Sequence, residues 1–235
     1  MKNTDNKIFW LEQQRRNVPK DNIWLSENEQ KVLTKIRILK RRADWRLGRW
    51  TAKQLLSVFF SEKDRSLSLT DIDIYAAADG APEAFINGKP TAITISISHS
   101  QGTAFCVVVD SLPSVGCDLE QIVPRSQAFI TDYFTSSEIA VIELAEKKDR
   151  PLLSTLIWSA KESTLKALRE GLRLDTRSVE IHFTPTQTTD KWRPFKAIFS
   201  KTNKTFYGWW RHDEHFVQTV VTESTQSSLC RLAVL

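Results

Sequence analysis

Two periods run through the hydrophobic and polar positions of the chain. Ser26 followed by Glu29 has the form of a capping box, and it predicts a helix beginning near Glu27. Val32, Leu33, Ile36 and Leu39 continue that helix at helical spacing as far as Lys40. A second helix is predicted from Asp44 to Phe60, with Trp45, Leu47, Trp50, Leu55, Val58 and Phe59 as its core positions. Asp79 to Pro90 is rich in turn residues, and Asn87-Gly88 is a strong hairpin signal. From Ile93 to Ser98 apolar and polar residues alternate strictly, which predicts a half-buried strand. Ala104–Val109 is a continuous apolar run suited to a buried strand, closed off by Pro113. Val115–Val123 reads as another strand, ended by Pro124.

The helical period then returns over Ser137–Lys148 and, more strongly, over Pro151–Arg169. In the second segment Leu152, Leu156, Trp158, Leu165 and Leu168 share a face. Beyond Gly171 the pattern is that of strands, over 179–183, 192–199, 205–210 and 216–221. Helices, strands, helices, strands is the order of an α+β protein made of two similar α/β halves. The division is expected near Leu112–Ser114, giving halves of 1–112 and 113–235. No internal repeat stands out at the level of residues.

Composition narrows the class without naming a function. Hydrophobic residues make up 41% of 235, with 8 Trp and 12 Phe, enough to bury a core, so global disorder is not expected. The net charge of +5 favours anionic partners without choosing among them. Much of it lies in one stretch: Lys31, Lys35, Arg37, Lys40, Arg41, Arg42, Arg46, Arg49 and Lys53. That stretch is either a solvated helix face or an anion site. The three cysteines lack CxxC spacing and read as free thiols. Met1–Trp10 has no signal-peptide core, and no run reaches the ~20 apolar residues that span a bilayer, so a soluble cytoplasmic protein is expected.

Three groups of residues could carry chemistry. Asp118 and Glu120 are two apart on a predicted strand, so their carboxylates face one side. Such a pair is either an exposed polar strand face or a site for a hard cation such as Mg²⁺. Glu162 and Lys166 are four apart on a predicted helix, as in a surface ion pair, or as a third carboxylate beside an ammonium for a phosphate. His99 ends the alternating strand among Ser96, Ser98 and Ser100, a position suited to structural hydrogen bonding or to phosphate contact.

The combination decides between these readings. Ser-x-Ser-His-Ser, then Gly116-Cys-Asp-Leu-Glu120, then Trp158-Ser-Ala-Lys-Glu-Ser-Thr-Leu-Lys166 resembles the 4′-phosphopantetheinyl transferase family, and within it the longer, single-chain Sfp-type group. Phe134-Thr-Ser-Ser-Glu138, Gly88-Lys-Pro90 and the early basic stretch fit the same resemblance, which spans roughly residues 40–172. One departure is Arg169, where the family usually has the first glycine of its last motif. The resemblance implies a pseudo-twofold pair of α/β halves, with coenzyme A in the cleft between them. It also implies transfer of the phosphopantetheine arm to a serine of an acyl or peptidyl carrier protein, with release of 3′,5′-ADP. Asp118, Glu120 and Glu162 would hold Mg²⁺, or Mn²⁺. Glu162, Lys166 and His99 would be catalytic. Arg42, Arg49, Lys53, Lys89, Pro90, Ser98, His99 and Lys166 would bind the coenzyme. A monomer is expected, with no nucleic acid and no membrane as partner. Two rivals differ in class. A nucleic-acid-binding module would use the basic stretch but leave the carboxylates idle. A metal-dependent phosphohydrolase would use the carboxylates but deliver the group to water.

Overall fold

The computed structural model describes residues 6–110, 114–183, 192–225 and 227–232. The expected division at 112/113 falls on residues outside those described. The chain forms two compact units, Met1–Pro113 with Gln226–Leu235, and Ser114–Thr225. Both mix helices with sheets, as an α+β protein does.

The first unit runs β1 (Asn6–Gln14), α1 (Glu27–Lys35), α2 (Leu39–Ser61), β2 (Ile72–Ala76), β3 (Pro82–Ile86), β4 (Lys89–Pro90), β5 (Ile93–Ser100) and β6 (Thr103–Asp110). The second runs β7 (Val115–Gln121), α3 (Gln127–Tyr133), α4 (Ser136–Leu144), α5 (Arg150–Ala167), β8 (Val179–Phe183), β9 (Arg193–Phe199), β10 (Lys204–His212) and β11 (Phe216–Thr222). The chain then returns as β12 (Ser227–Arg231), which pairs in parallel with β1. The last strand therefore belongs to the first unit, although the sequence placed residues 113–235 together. Ladder hydrogen bonds, which no hydropathy pattern encodes, decide this.

Strand order is β12-β1-β6-β5 beside β2-β3-β4 in the first unit, and β7-β11-β10-β9-β8 in the second. In each unit one long helix lies on the sheet. Leu47, Leu55, Leu56 and Phe59 of α2 are buried in the first, and Leu156, Ile157, Ala160 and Leu165 of α5 in the second. The Asn87-Gly88 hairpin forms as expected between β3 and β4, with positive φ at both residues (51° and 71°), the conformation that Asn and Gly tolerate best. The first helix is shorter than its pattern. Ile36 and Ile38 are extended, so the chain breaks between α1 and α2, and α2 begins at Leu39 rather than Asp44. The apolar residues that had extended the pattern stay outside the core: Ile36 is half-buried and Leu39 is 82% exposed.

A buried ion pair recurs in the two units. Ser26 caps α1, and Glu29 at the third helical position returns to the Ser26 amide at 3.3 Å, closing the capping box. The same Glu29 accepts the Ile74 amide of β2 at 3.1 Å and takes the ammonium of Lys53 from α2. In the second unit Thr135 caps α4, and Glu138 accepts the amides of Thr135 at 2.8 Å and of Ile181 in β8 at 2.9 Å. Lys161 of α5 lies 2.9 Å from Glu138 and donates to the carbonyls of Thr176, at 3.0 Å, and Val179. Both lysine side chains are fully buried. The lysines sit in Trp50-Thr-Ala-Lys53 and Trp158-Ser-Ala-Lys161, so an internal repeat does exist, four residues long and too short to notice before the structure aligns it.

Lys53 was expected to bind the coenzyme, and its burial corrects that: its ammonium is enclosed with Glu29 and has no surface to offer. Burial also pulls its pKa below the ordinary lysine value, with Glu29 opposing. Removing one partner strands a buried charge. Glu29→Gln or Glu138→Gln should each cost about 3–5 kcal/mol in denaturant unfolding, whereas the double variant Glu29→Gln/Lys53→Met should recover most of the loss.

Candidate active site

The second unit gathers the acidic residues. In β7, Asp118 pairs with Thr219 and Glu120 with Val217 of β11, so the two carboxylates leave the strand on one face. Helix α5 crosses that strand at Gly116. A Cβ on Gly116 would stand 1.9 Å from the Ser163 carbonyl oxygen and 2.7 Å from the Ala167 amide nitrogen, so only glycine allows this approach. The contact is reinforced by hydroxyls: Ser159 and Ser163 reach the Thr219 Oγ1 at 2.9 and 2.5 Å. Glu162 and Lys166 each precede a residue that touches Gly116, and this closeness carries them to β7.

Lys166 is the ion-pair partner of Asp118 rather than of its helical neighbour Glu162. Its Nζ lies 2.8 Å from Asp118 Oδ1 and 3.0 Å from the Cys117 carbonyl oxygen. Burial works against the ammonium, but Asp118, Cys117 and Glu162 outweigh it and hold its pKa above the ordinary lysine value. Glu120 is engaged by Arg125, whose Nη2 lies 3.0 Å from Glu120 Oε2. Burial and Asp118 raise the Glu120 pKa, while Arg125 and Lys166 lower it part of the way back. Among the described residues nothing donates a hydrogen bond to Glu162. Its carboxyl is pushed up to about 7 by burial and by Asp118 and Glu120, against the pull of Lys166.

The three carboxylates thus feel one another, and the cluster is close to charge-neutral when Glu162 holds its proton, with Lys166 and Arg125 as the two cations. All-oxygen donors suit a hard divalent cation, and such an ion would let all three acids ionise together. As they stand, no three metal-ligating side chains among the described residues are near enough to share an ion. Asp118 and Glu120 have instead drawn in cations of the chain itself.

The other expected residues lie in the first unit. Ser98, buried, and His99, exposed, end β5, and the His99 ring lies close to Gly48 of α2. Lys89 and Pro90 are exposed on the edge strand β4. Arg42 is half-buried in the first turn of α2. The Arg49 guanidinium stacks 5.0 Å over Trp45, and burial lowers its pKa. The described cysteines are free, as expected.

Comparison with known proteins then falls on the unit that holds the acids. Residues 114–221 match the model of the 4′-phosphopantetheinyl transferase superfamily. This is just under half of the chain, and it contains Asp118, Glu120, Glu162 and Lys166. No curated protein matches the chain. Among solved structures the chain is similar to holo-[acyl-carrier-protein] synthase of Thermotoga maritima. That match has 18% identity over 55% of this chain and 74% of the other, with a TM-score of 0.36. Among the described residues no helix is long and apolar enough to cross a membrane.

Sequence reasoning missed Arg125, which follows the acidic strand on an irregular segment and carries no periodic signal. It also missed the hydroxyls of Ser159, Ser163 and Thr219, and the role of Gly116 as the crossing point. Gly116→Ala should separate α5 from β7 and abolish the Lys166–Asp118 pairing, with a loss of stability of several kcal/mol in denaturant unfolding. Glu162 yields a pH prediction. An acid whose folded pKa is raised binds more protons folded than unfolded between about 4.5 and 7. Its contribution is therefore fully present below its ordinary pKa and is lost as pH rises through 7. In buffer with a chelator, Glu162→Gln should match the parent in stability at about pH 4, below the ordinary carboxyl pKa, and exceed it at pH 8, by thermal unfolding.

Proposed function

We propose that this protein moves the 4′-phosphopantetheine group of coenzyme A onto a serine hydroxyl of an acyl or peptidyl carrier protein, releasing 3′,5′-ADP, as an enzyme of the Sfp-type group. One observation carries this reading: Asp118 and Glu120 on β7 and Glu162 and Lys166 on α5 feel one another's charge within the segment that matches the transferase superfamily.

In this reading Asp118, Glu120 and Glu162 would hold Mg²⁺ or Mn²⁺, which would offset the charge of the coenzyme's pyrophosphate. Lys166 leaves Asp118 for a pyrophosphate oxygen and donates to it as charge builds on the leaving group. Glu162 accepts the proton of the carrier serine. The serine oxygen forms a bond to phosphorus, and the bond from phosphorus to the ADP oxygen breaks. His99, Ser98, Lys89, Pro90 and Arg42 are assigned to the coenzyme, with Arg49 as a weaker contributor. The apolar side chains left exposed by α3 and α4, namely Tyr133, Val141 and Leu144, support carrier docking on that segment.

The deciding experiment is mass spectrometry of an apo carrier protein incubated with the enzyme, coenzyme A and Mg²⁺. The expected result is a gain of one phosphopantetheine on serine, lost on adding chelator. Free phosphopantetheine with an unmodified carrier would instead favour the phosphohydrolase. Asp118→Asn should lower the transfer rate by at least about a hundredfold, while Arg42→Ala should raise the KM for coenzyme A and leave kcat largely intact.

A further inference from the structure

Arg125 lies in none of the motifs, yet it holds one of the three acids. Its Nη2 is 3.0 Å from Glu120 Oε2, with side-chain exposures of 18% for Arg125 and 28% for Glu120. Its guanidinium stacks 4.9 Å over the ring of Phe129 in α3, and its Nε is buried with no hydrogen-bond partner among the described residues. Phe129 in turn packs on Trp158 at 4.9 Å, one helical turn before Glu162 in α5. Arg125 also lines a cavity of about 350 Å³ among α3, α4 and α5, together with Lys147 and Arg150. The arginine is therefore bound to the acidic cluster through one hydrogen bond. Beside it lie the Phe129 ring and the cavity.

We propose that Arg125 is a positioning residue that occupies Glu120 and competes with a divalent cation for its carboxylate. Two effects act together. The hydrogen bond takes one of the oxygens that the ion would use, and the positive charge raises the cost of bringing a second cation to the same group. For the cation to take Glu120, the guanidinium must let go, and the cavity beside it gives it room to turn. Phe129 supports the guanidinium and so sets how firmly Glu120 is held. Arg125 would thereby set the cation concentration at which the acidic cluster fills. This inference rests on the reading of Asp118, Glu120 and Glu162 as a cation site.

The test is titration of the whole chain with Mn²⁺, without coenzyme A or carrier, following free Mn²⁺ by electron paramagnetic resonance. Arg125→Gln should bind Mn²⁺ about tenfold more tightly than the parent. Arg125→Lys keeps the charge and should stay within about twofold of it. Phe129→Leu, which removes the support but not the arginine, should tighten binding about threefold, and it keeps the test open should Arg125→Gln fold poorly. Glu120→Gln should weaken binding. If Arg125→Gln and Phe129→Leu bind no more tightly than the parent while Glu120→Gln binds worse, the arginine does not compete and the inference is overturned, with the cation site intact. If Glu120→Gln matches the parent, or no protein binds Mn²⁺ saturably, the cation site itself is overturned and the inference falls with it.

Discussion

The buried lysine–glutamate pair is the interaction on which each unit is built. A charge taken out of water is tolerated only when nearly every lone pair and proton around it finds a partner. Glu29 and Glu138 meet that demand in the same way. Each caps its own helix, accepts one amide from a strand, and takes one lysine from the long helix. Three elements are thereby tied at a single carboxylate. Apolar packing alone would let a helix slide over a sheet by a fraction of a turn at small cost. A buried ion pair with directional hydrogen bonds does not, because every displacement leaves a charge unpaired. In the second unit this fixes the rotation of α5, and with it the direction of Glu162, the residue after the buried Lys161.

Gly116 adds a second constraint, on distance rather than rotation. Because a Cβ there would overlap the α5 backbone, the helix lies closer to β7 than any other residue would allow. The consequence is electrostatic. Lys166 reaches Asp118 on the strand instead of pairing along its own helix with Glu162, and Glu162 is left among acids with its carboxyl raised to about 7. Close packing and the altered proton affinity are therefore one fact seen at two levels. A longer helix–strand distance would let water in and return Glu162 to an ordinary carboxylic acid.

Much of this was legible before the structure, though unevenly. The period-two strand β5, the strand β7, the Asn87-Gly88 turn and the helix carrying Glu162 and Lys166 all announce themselves, since local pattern and tertiary role agree in them. The capping box at Ser26 was legible as a helix start. That Glu29 also receives Lys53 was not, because the two residues meet only across the packed fold, and a lysine in a basic stretch reads as a surface charge. Strand β1 escaped notice because its Glu12 and Gln13 look like a polar terminus. Strand β12 pairs with it from the far end of the chain, beyond the reach of any window of sequence.

The repeat separates what holds the fold from what the fold does. Trp-Thr-Ala-Lys in α2 and Trp-Ser-Ala-Lys in α5 carry the same staple, but the next residue is Gln54 in the first and Glu162 in the second. Five residues past the buried lysine stand Val58 and Lys166, respectively. Where the second unit places an acid and a base, the first has an amide and an alkyl group. The frame thus tolerates either set of side chains at those positions, which follows if its stability comes from the staple and the core. The charged residues at the acidic cluster are then not needed to hold α5 in place. Burying a carboxyl with its pKa raised to about 7 costs stability rather than adding to it. A group kept at such a cost, on a helix already secured by other means, is what a site shaped by chemistry rather than by folding would contain.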